Sequence, residues 1–326
     1  MKLQQLRYLC EVARRGLNVS DTAKALYTSQ PGVSKQIRLL EQELGVDVFV
    51  RRGKRITAVT PAGQAILAIA ERMLNDTDNL KQAAREYTDE DTGSLTIATT
   101  HTQARYVLPQ VIKRFTALYP KVRLNLRQGN PIQISQMVVA GEADIAIATE
   151  AIERFPELVM LPCYRWNRCV ITPPHHPLLK LKRLALEDIA RYPIITYDFA
   201  FTGRSLINRA FEAKGLTPNV VLTALDADVI KTYVELGLGI GIMAKMAFDP
   251  KRDKNLRALD ASHLFRASTT RIGLRRNSYL RGYVYSFIEL FAPHLDRRTV
   301  ETAMAGKPAG GHGHHRVRLP EQAKPL

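Results

Sequence analysis

Four polar side chains occur within nine residues near the N-terminus, at positions that fall together on one face of a helix. They are Gln30, Ser34, Lys35 and Arg38. Lys and Arg can donate hydrogen bonds to guanine edges or phosphates, and Gln can pair with adenine edges. The spacing predicts a helix face that contacts the major groove of DNA. The alternative is an ordinary helix whose polar face is only solvated.

The segment that carries these side chains has the features of the second helix in a helix-turn-helix. Ser29 is a predicted N-cap, and Pro31 lies in the first turn, where its missing N–H costs nothing. An apolar stripe is predicted to be buried on the opposite face: Val33, Ile37, Leu40 and Leu44. A short predicted helix over 21–26 precedes it after a tight turn. This combination favours DNA contact over a solvated face, with Ser29 and Pro31 in the predicted contact set.

Residues 46–59 predict a β-hairpin beside that helix. Two β-prone runs, 46–50 and 56–59, flank a basic turn that contains a glycine. A hairpin in this position is a wing whose cations can bind phosphates or enter the minor groove, and the alternative is a generic basic loop. The predicted wing contacts are Arg51, Arg52 and Lys54. Residues 1–59 are therefore predicted to form a winged helix-turn-helix domain.

The charge distribution agrees with a polyanion partner. The net charge is +16, and residues 1–58 hold 11 Lys and Arg against 5 Asp and Glu. No apolar run approaches the roughly 20 residues that cross a bilayer, and the first residues lack a secretory apolar region, so we expect a cytoplasmic protein without membrane contact. The three cysteines lack C-x-x-C spacing, so small buried thiols are favoured over disulfides, a metal site or a redox role.

A long amphipathic helix is predicted over residues 60–88. Thr60 and Pro61 form a strong helix start. A seam with alternating spacings of three and four residues follows: Ile66, Ile69, Met73, Asp76, Leu80, Ala83 and Tyr87. Such a stripe can be buried against a second copy of the chain, which predicts a dimer with two recognition helices. The alternative is that the stripe packs on its own chain.

Residues 89–295 alternate between predicted strands and helices, which indicates α/β lobes with doubly wound parallel sheets. Several predicted strands end in neutral hydrogen-bond donors just before a helix. These donors are Thr100, Thr102, Gln103, Thr149 and Thr202. Helix N-termini and neutral hydroxyls suit a small oxyanion in a cleft between two lobes. The alternative is that the threonines are only helix caps.

The run NVSDTAKALYTSQPGVSKQIRLLEQELGVDVF closely resembles the helix-turn-helix of LysR-type transcriptional regulators. ATTHTQARY, AIATEA, VMLPCYRWNR and FTGRS are similar to the branch of that family that controls cysteine biosynthesis. The resemblance implies two lobes like those of periplasmic binding proteins, and a homotetrameric activator that contacts RNA polymerase. It implies acetylserine as the effector, opposed by sulfide or thiosulfate. It also implies that sulfate is bound by the five donors Thr100, Thr102, Gln103, Thr149 and Thr202. Trp166 is implied to line the same cleft. A paralogue that serves alternative sulfur sources remains an alternative.

Residues 296–326 are predicted to be an extension with a disordered tail that departs from the family pattern. Its histidines, His312, His314 and His315, could hold a stray metal ion, but a solvated tail is favoured. We expect no catalytic residue, cofactor or resident metal, because the cleft motifs lack a nucleophile with a base or paired carboxylates. A transport solute-binding protein and an architectural DNA-binding protein each leave one of the predicted domains unexplained.

Overall fold

The computed structural model describes residues 1–53, 55–88, 92–149, 155–198, 202–306 and 319–320. Within the helices, the side chains of residues 82, 85–88 and 202–205 are not described. The predicted contact Lys54 and the three tail histidines lie outside the described residues. The chain forms two compact units, residues 1–88 and 89–326.

The first unit contains four helices and a hairpin in its described residues. They are α1 (Leu3–Arg14), α2 (Val19–Ala25), α3 (Gln30–Leu44), β1 (Phe49–Arg52), β2 (Arg55–Val59) and α4 (Pro61–Thr88). Ser29 caps α3 by accepting a hydrogen bond from the Gly32 amide at 3.2 Å, and Gly45 ends the helix with a φ of 70°. The predicted stripe of α3 is buried except at Leu44, which is 39% exposed because it lies in the last turn.

The linker helix α4 is joined closely to the DNA-binding head. Thr60 Oγ1 donates to the Asp47 carbonyl at 2.7 Å and accepts from the Gly63 amide at 2.8 Å. A Cβ on Gly63 would lie 2.1 Å from the Val48 carbonyl oxygen, so only glycine allows this approach. The first half of α4 packs on the head core through four residues: Ile66, Leu67, Ala70 and Leu74.

The predicted seam of α4 therefore divides into two parts. Ile66 packs on its own chain. Ile69, Met73 and Leu80 remain 48%, 37% and 70% exposed in the single chain, and Asp76 is also exposed. The helix thus has one apolar face for the head and a second, uncovered one.

The second unit has two lobes. Lobe I contains β3 (Gly93–Thr99), α5 (His101–Tyr106), α6 (Leu108–Leu118), β4 (Val122–Gln128), α7 (Pro131–Val139), β5 (Ile145–Ala148), β6 (Leu158–Trp166), β12 (Ser268–Arg275), α11 (Gly282–Phe291) and α12 (Arg297–Met304). Its sheet has the order β4-β3-β5-β12-β6. The core includes Leu95, Phe115 and Phe287, all fully buried.

Lobe II contains β7 (Arg168–Thr172), α8 (Leu186–Ile189), β8 (Ile194–Tyr197), α9 (Thr202–Glu212), β9 (Val220–Ala224), α10 (Ala227–Glu235), β10 (Ile240–Ala244) and β11 (Arg257–Asp260). Its sheet has the order β11-β7-β10-β8-β9. The α/β architecture with two lobes is confirmed, but the sheets are mixed. In each, two strand pairings are parallel and two are antiparallel. The antiparallel members include β6, β7 and β12, which adjoin the crossings between the lobes.

Three predictions for this unit need correction. The sequence pattern predicts a single helix over residues 105–118. In the structure this helical region begins at His101 and breaks near Val107, because Pro109 cannot donate the backbone hydrogen bond that would join α5 to α6. Strands β6 and β11 were not predicted. The extension expected from residue 296 begins with α12, whose Val300 is fully buried in the core of lobe I.

Part of the tail also contacts lobe I. The Arg165 amide on the edge strand β6 donates a hydrogen bond to the Pro320 carbonyl at 3.1 Å. None of the helices in the described residues is both long and apolar enough to span a bilayer.

Candidate DNA-binding surface and interlobe site

Helix α3 presents the predicted recognition residues to solvent. Gln30, Pro31, Lys35 and Arg38 are exposed, and Ser34 is half-buried at the edge of the face. On the other side of the helix, Val33, Ile37 and Leu40 are fully buried against α1 and α2. Burial of this stripe orients the polar side chains outward together, as major-groove contact requires.

Tyr27 lies in the turn before α3 and was not predicted as a contact. Its side chain is 98% exposed, and its φ of 49° is unusual for a residue other than glycine. An exposed aromatic ring beside the recognition helix can pack on the sugar-phosphate backbone. In the sequence, the feature that could have indicated this contact is the position of Tyr27 between two predicted helices.

The wing is a two-stranded antiparallel hairpin, as predicted, and its cations differ in environment. The Arg51 guanidinium lies 2.6 Å from Glu41 Oε2, and Glu41 is buried. The other oxygen, Oε1, accepts from the Val48 and Phe49 amides at 2.9 and 3.1 Å. Arg51 therefore joins the wing to the recognition helix, and its contact with phosphate stays a prediction. Arg52 is exposed and stays available.

In lobe I, two of the predicted effector residues lie at the same edge of the sheet. Strands β3 and β5 are parallel neighbours with Thr99 opposite Ile147, so Thr100 and Thr149 both follow at their carboxyl ends. Thr100 is the N-cap residue of α5, but its side chain makes no capping hydrogen bond among the described residues. Its hydroxyl is therefore not used as a cap, contrary to the simplest alternative.

Thr102 and Gln103 differ in burial. Thr102 is half-buried and lies near Tyr197 of lobe II, whose pKa is raised to about 12 chiefly by burial and is lowered by the Thr102 hydroxyl. Gln103 is 3% exposed, accepts a hydrogen bond from Tyr164, and donates from Nε2 to Thr270 Oγ1 at 3.2 Å. These bonds orient the Gln103 amide from within lobe I.

Trp166 ends β6 opposite Ser268, beyond the carboxyl end of β5. The ring is half-buried, and its buried Nε1 has no hydrogen-bond partner among the described residues. The Arg168 guanidinium lies 5.1 Å from the ring centroid and donates to the Arg266 carbonyl at 3.0 Å and to Ser268 Oγ at 2.8 Å. Arg168 thus cross-links the two chain segments that pass between the lobes.

The remaining predicted effector residue is Thr202. It is the first residue of α9, as the predicted helix start requires, but its side chain lies outside the described residues.

A cluster that was not predicted lies on α5 and α10. His101, Asp226 and Asp228 each offer one atom within 4.8 Å of the others, a geometry compatible with a metal ion. Asp228 Oδ2, however, lies 2.6 Å from Arg105 Nε, and Oδ1 accepts from Tyr106 Oη at 2.5 Å. The carboxylate is already engaged by these two groups, so we interpret the cluster as an ionic network.

All three cysteines are buried and unpaired with each other, as predicted. Burial raises the pKa of Cys10 to about 11 and the pKa values of Cys163 and Cys169 to about 12. At neutral pH these groups are therefore thiols, which are weak nucleophiles and weak metal ligands.

Both parts of the chain match known families. Residues 3–64 match the bacterial regulatory helix-turn-helix protein, lysR family, and residues 88–296 match the LysR substrate binding domain.

Relatives of similar length match across nearly the whole chain. The HTH-type transcriptional regulator SsuR of Burkholderia cenocepacia is 58% identical over 300 residues, covering 92% of this chain and 97% of that protein. CysB of the same organism is 52% identical over 307 residues, covering 94% and 98%. The regulator cbl of Escherichia coli is 50% identical over 290 residues, covering 89% and 92%. These relatives are named regulators, in agreement with the prediction that the chain is not an enzyme.

Solved structures support the same architecture. The cofactor-binding domain of the Cbl transcriptional regulator is 48% identical, with a TM-score of 0.64, and the match covers 67% of this chain and 95% of that domain. A full-length OxyR from Pseudomonas aeruginosa matches 91% of this chain and 98% of its own with a TM-score of 0.62, but at 20% identity it shows the fold alone. With a helix-turn-helix head and a substrate-binding domain that both match, the chain is a member of the LysR family of transcriptional regulators.

Proposed function

We propose that this regulator controls genes of sulfur assimilation and cysteine biosynthesis, and that it responds to acetylserine and to sulfur oxyanions such as sulfate or thiosulfate. The resemblance of the cleft motifs and the relatives named SsuR, CysB and Cbl support this assignment. We expect it to act in the cytoplasm, where promoter DNA is found.

One observation carries the effector proposal. Thr100 and Thr149 lie at the ends of adjacent parallel strands, and the buried Trp166 Nε1 at the same edge has no described partner. Neutral donors suit a fully ionised oxyanion, because they stabilise its charge without holding a second charge in the empty site. In this proposal Thr100, Thr102, Thr149 and Thr202 bind the anion, Gln103 contributes from its buried position, and Trp166 lines the site.

The uncovered face of α4 supports self-association. Ile69, Met73 and Leu80 are exposed in the single chain and lie on one side of the helix. A second copy of α4 would bury them and give a dimer with two recognition helices, bound to two half-sites of duplex DNA. We extend the proposal to a homotetramer that contacts RNA polymerase, as the resemblance implies.

Effector binding would act by changing the angle between lobes I and II. The lobes are joined at the crossing segments that Arg168 links. A ligand that prefers one angle shifts the population toward it and changes how paired heads bend the DNA.

The closest competing assignment is a regulator of alternative sulfur-source use. The 50% identity to cbl and the 48% identity to the solved Cbl domain support it. Both assignments share the fold and DNA contact and differ in the effector.

Calorimetry with the full chain tests the effector proposal. We expect acetylserine, sulfate or thiosulfate to bind, and Thr149→Met to weaken that binding about tenfold, because the longer side chain replaces a hydroxyl donor at the site. Promoter affinity without effector should stay unchanged in the variant. Absence of binding by all three compounds would reject the effector class, and loss of DNA binding in Thr149→Met would reject the site.

Footprinting tests the mechanism. Footprints and bend angles should differ with and without the compound that binds, and identical results would contradict a change of lobe angle.

A further inference from the structure

Helix α5 of lobe I contacts helix α10 of lobe II through a network of polar side chains that the proposed function does not use. Its members are His101, Arg105 and Tyr106 from α5, Asp226, Asp228 and Lys231 from α10 and its cap, and Asp253 from the segment before β11. We call these seven residues the α5–α10 clasp.

Asp228 is the centre of the clasp. It receives the Arg105 guanidinium at 2.6 Å and the Tyr106 hydroxyl at 2.5 Å, both from the opposite lobe. His101 Nε2 lies 3.8 Å from the same carboxylate. A carboxylate with two donors from one helix fixes the position and the rotation of that helix, because both bonds must be kept together.

Lys231 extends the clasp into a nearly dry region. Its side chain is 10% exposed, and its Nζ lies 2.9 Å from Asp253 and 3.9 Å from Asp228. It also donates to Tyr106 Oη at 3.1 Å and lies 4.9 Å from the centre of that ring. The buried cation is compensated by carboxylates of its own lobe, while the hydroxyl it contacts belongs to the other.

Tyr106 adds an apolar component. Its ring packs against the lobe II core that contains Ile195, Ile230 and Val234, although the residue belongs to lobe I. Asp226, in contrast, caps α10 by accepting from the Val229 amide at 2.9 Å, and it contributes negative potential near Arg105. The clasp thus joins the lobes through hydrogen bonds, charge and packing.

The clasp and the proposed effector site share one short rigid element. Helix α5 has six residues, a length of about 9 Å. Thr100 precedes it and Thr102 lies in its first turn, whereas Arg105 and Tyr106 end it. His101 lies between the two threonines and faces Asp228. A helix this short does not bend, so a displacement at one end moves the other.

We propose that Asp228 is a positioning residue for the effector site, and that its bonds to Arg105 and Tyr106 hold α5 where Thr100 and Thr102 meet the ligand. The inference rests on the proposed function for the nature of that ligand. In this proposal a residue of lobe II helps to set the affinity for the anion, although the hydrogen-bond donors belong to lobe I.

The test uses the full chain with Asp228→Asn, Tyr106→Phe and the double variant. Asp228→Asn keeps the shape of the side chain and removes its charge, and Tyr106→Phe keeps the ring in the lobe II core. Glu142→Gln is the matched control, because Glu142 pairs with Arg127 at 2.9 Å within lobe I. Hydrogen exchange of residues 101–106 is measured without effector, and the affinity for sulfate and thiosulfate is measured by calorimetry.

We expect Asp228→Asn to speed exchange in α5 and to weaken anion binding, each about tenfold, with Tyr106→Phe smaller in both. The loss in the double variant should be smaller than the sum of the two single losses, since Asp228 and Tyr106 share one hydrogen bond. Restored affinity in Asp228→Glu would exclude a general loss of structure.

The proposal is overturned if Asp228→Asn leaves α5 exchange and anion affinity as in the parent, or if Glu142→Gln changes them equally. If the parent chain binds no anion, the proposed effector fails, and the exchange comparison alone decides whether Asp228 positions α5.

Discussion

The DNA-binding head and the interlobe region use polar side chains in opposite ways. The recognition residues on α3 come from one helix of 15 residues, and all but the half-buried Ser34 lie exposed. In the interlobe region the bonded partners lie far apart in the sequence. Tyr106 and Asp228 are separated by 122 positions, and Gln103 and Thr270 by 167. The head is prepared for an external partner that supplies the opposite charge. The interlobe region is internally bonded, so a ligand there must act by altering existing contacts.

Removal of a recognition cation should give the largest effect and test the first half of the comparison. Arg38→Ala should weaken promoter binding about 30-fold, or about 2 kcal/mol, because an exposed guanidinium can bind a base edge or a phosphate. Fluorescence anisotropy at fixed salt measures this. Arg191→Ala, which removes an exposed arginine of lobe II, is the control. Equal losses in both variants would mean that bulk charge, and not this helix face, binds DNA.

Substitutions of the two wing arginines should have different effects on the head. Arg51→Met should lower the free energy of unfolding of the head by about 1.5 kcal/mol, because the buried Glu41 loses its guanidinium partner. Arg52→Ala should leave stability unchanged and reduce the slope of log affinity against log salt by about one. Urea unfolding and salt titrations measure the two quantities. A structural role of Arg51 is contradicted if Arg51→Met lowers only DNA affinity.

The smallest expected effect concerns the buried thiol of Cys163 in lobe I. The pKa of Cys163 is raised from 9.0 to about 12 in the folded chain, chiefly by burial. Stability from this thiol is complete below pH 9, the unfolded value, and is lost as the pH rises above it, because the unfolded chain releases the proton first. The loss is about 0.4 kcal/mol at pH 9.

Urea unfolding at pH 7 and pH 9 measures this term as the difference in pH dependence between the parent and Cys163→Ala. Native thiols should also resist alkylation at pH 8. Rapid labelling of Cys163 in the folded chain would show that its burial is not maintained in solution.

The local elements of this fold were predictable because local signals specify them. Ser29, Pro31 and Gly45 mark the ends of α3, and Thr60 and Pro61 mark the start of α4. Strand β6 was missed because Pro162 interrupts its pattern, yet β6 is an edge strand, where a missing N–H is tolerated. Strand β11, with the sequence RALD, is another edge strand and lacks an apolar run.

The residue types in the candidate sites were predictable, but the contacts between those residues were not. Arg51 looked like any other wing cation until Glu41, ten positions earlier, proved to bind it. Gln103 was predicted as an effector donor, but its bonds to Tyr164 and Thr270, which hold its amide, were not predicted. The clasp could not be inferred, because Asp228 and Arg105 meet only once two separate sheets have formed.

The contact of Gly63 with Val48 has a mechanical consequence. Because the head and the first half of α4 pack as one body through Leu74, any joint that lets the head turn has to lie farther along the chain. The fused part acts as a stiff lever whose helical arm, from Pro61 to Leu74, is about 20 Å long at 1.5 Å per residue. A rotation of ten degrees at its base would carry the far end about 3.5 Å, comparable to the rise of one base pair. Replacement of Gly63 would loosen the packing of this part of α4 on the head and reduce the displacement that a rotation produces at its far end.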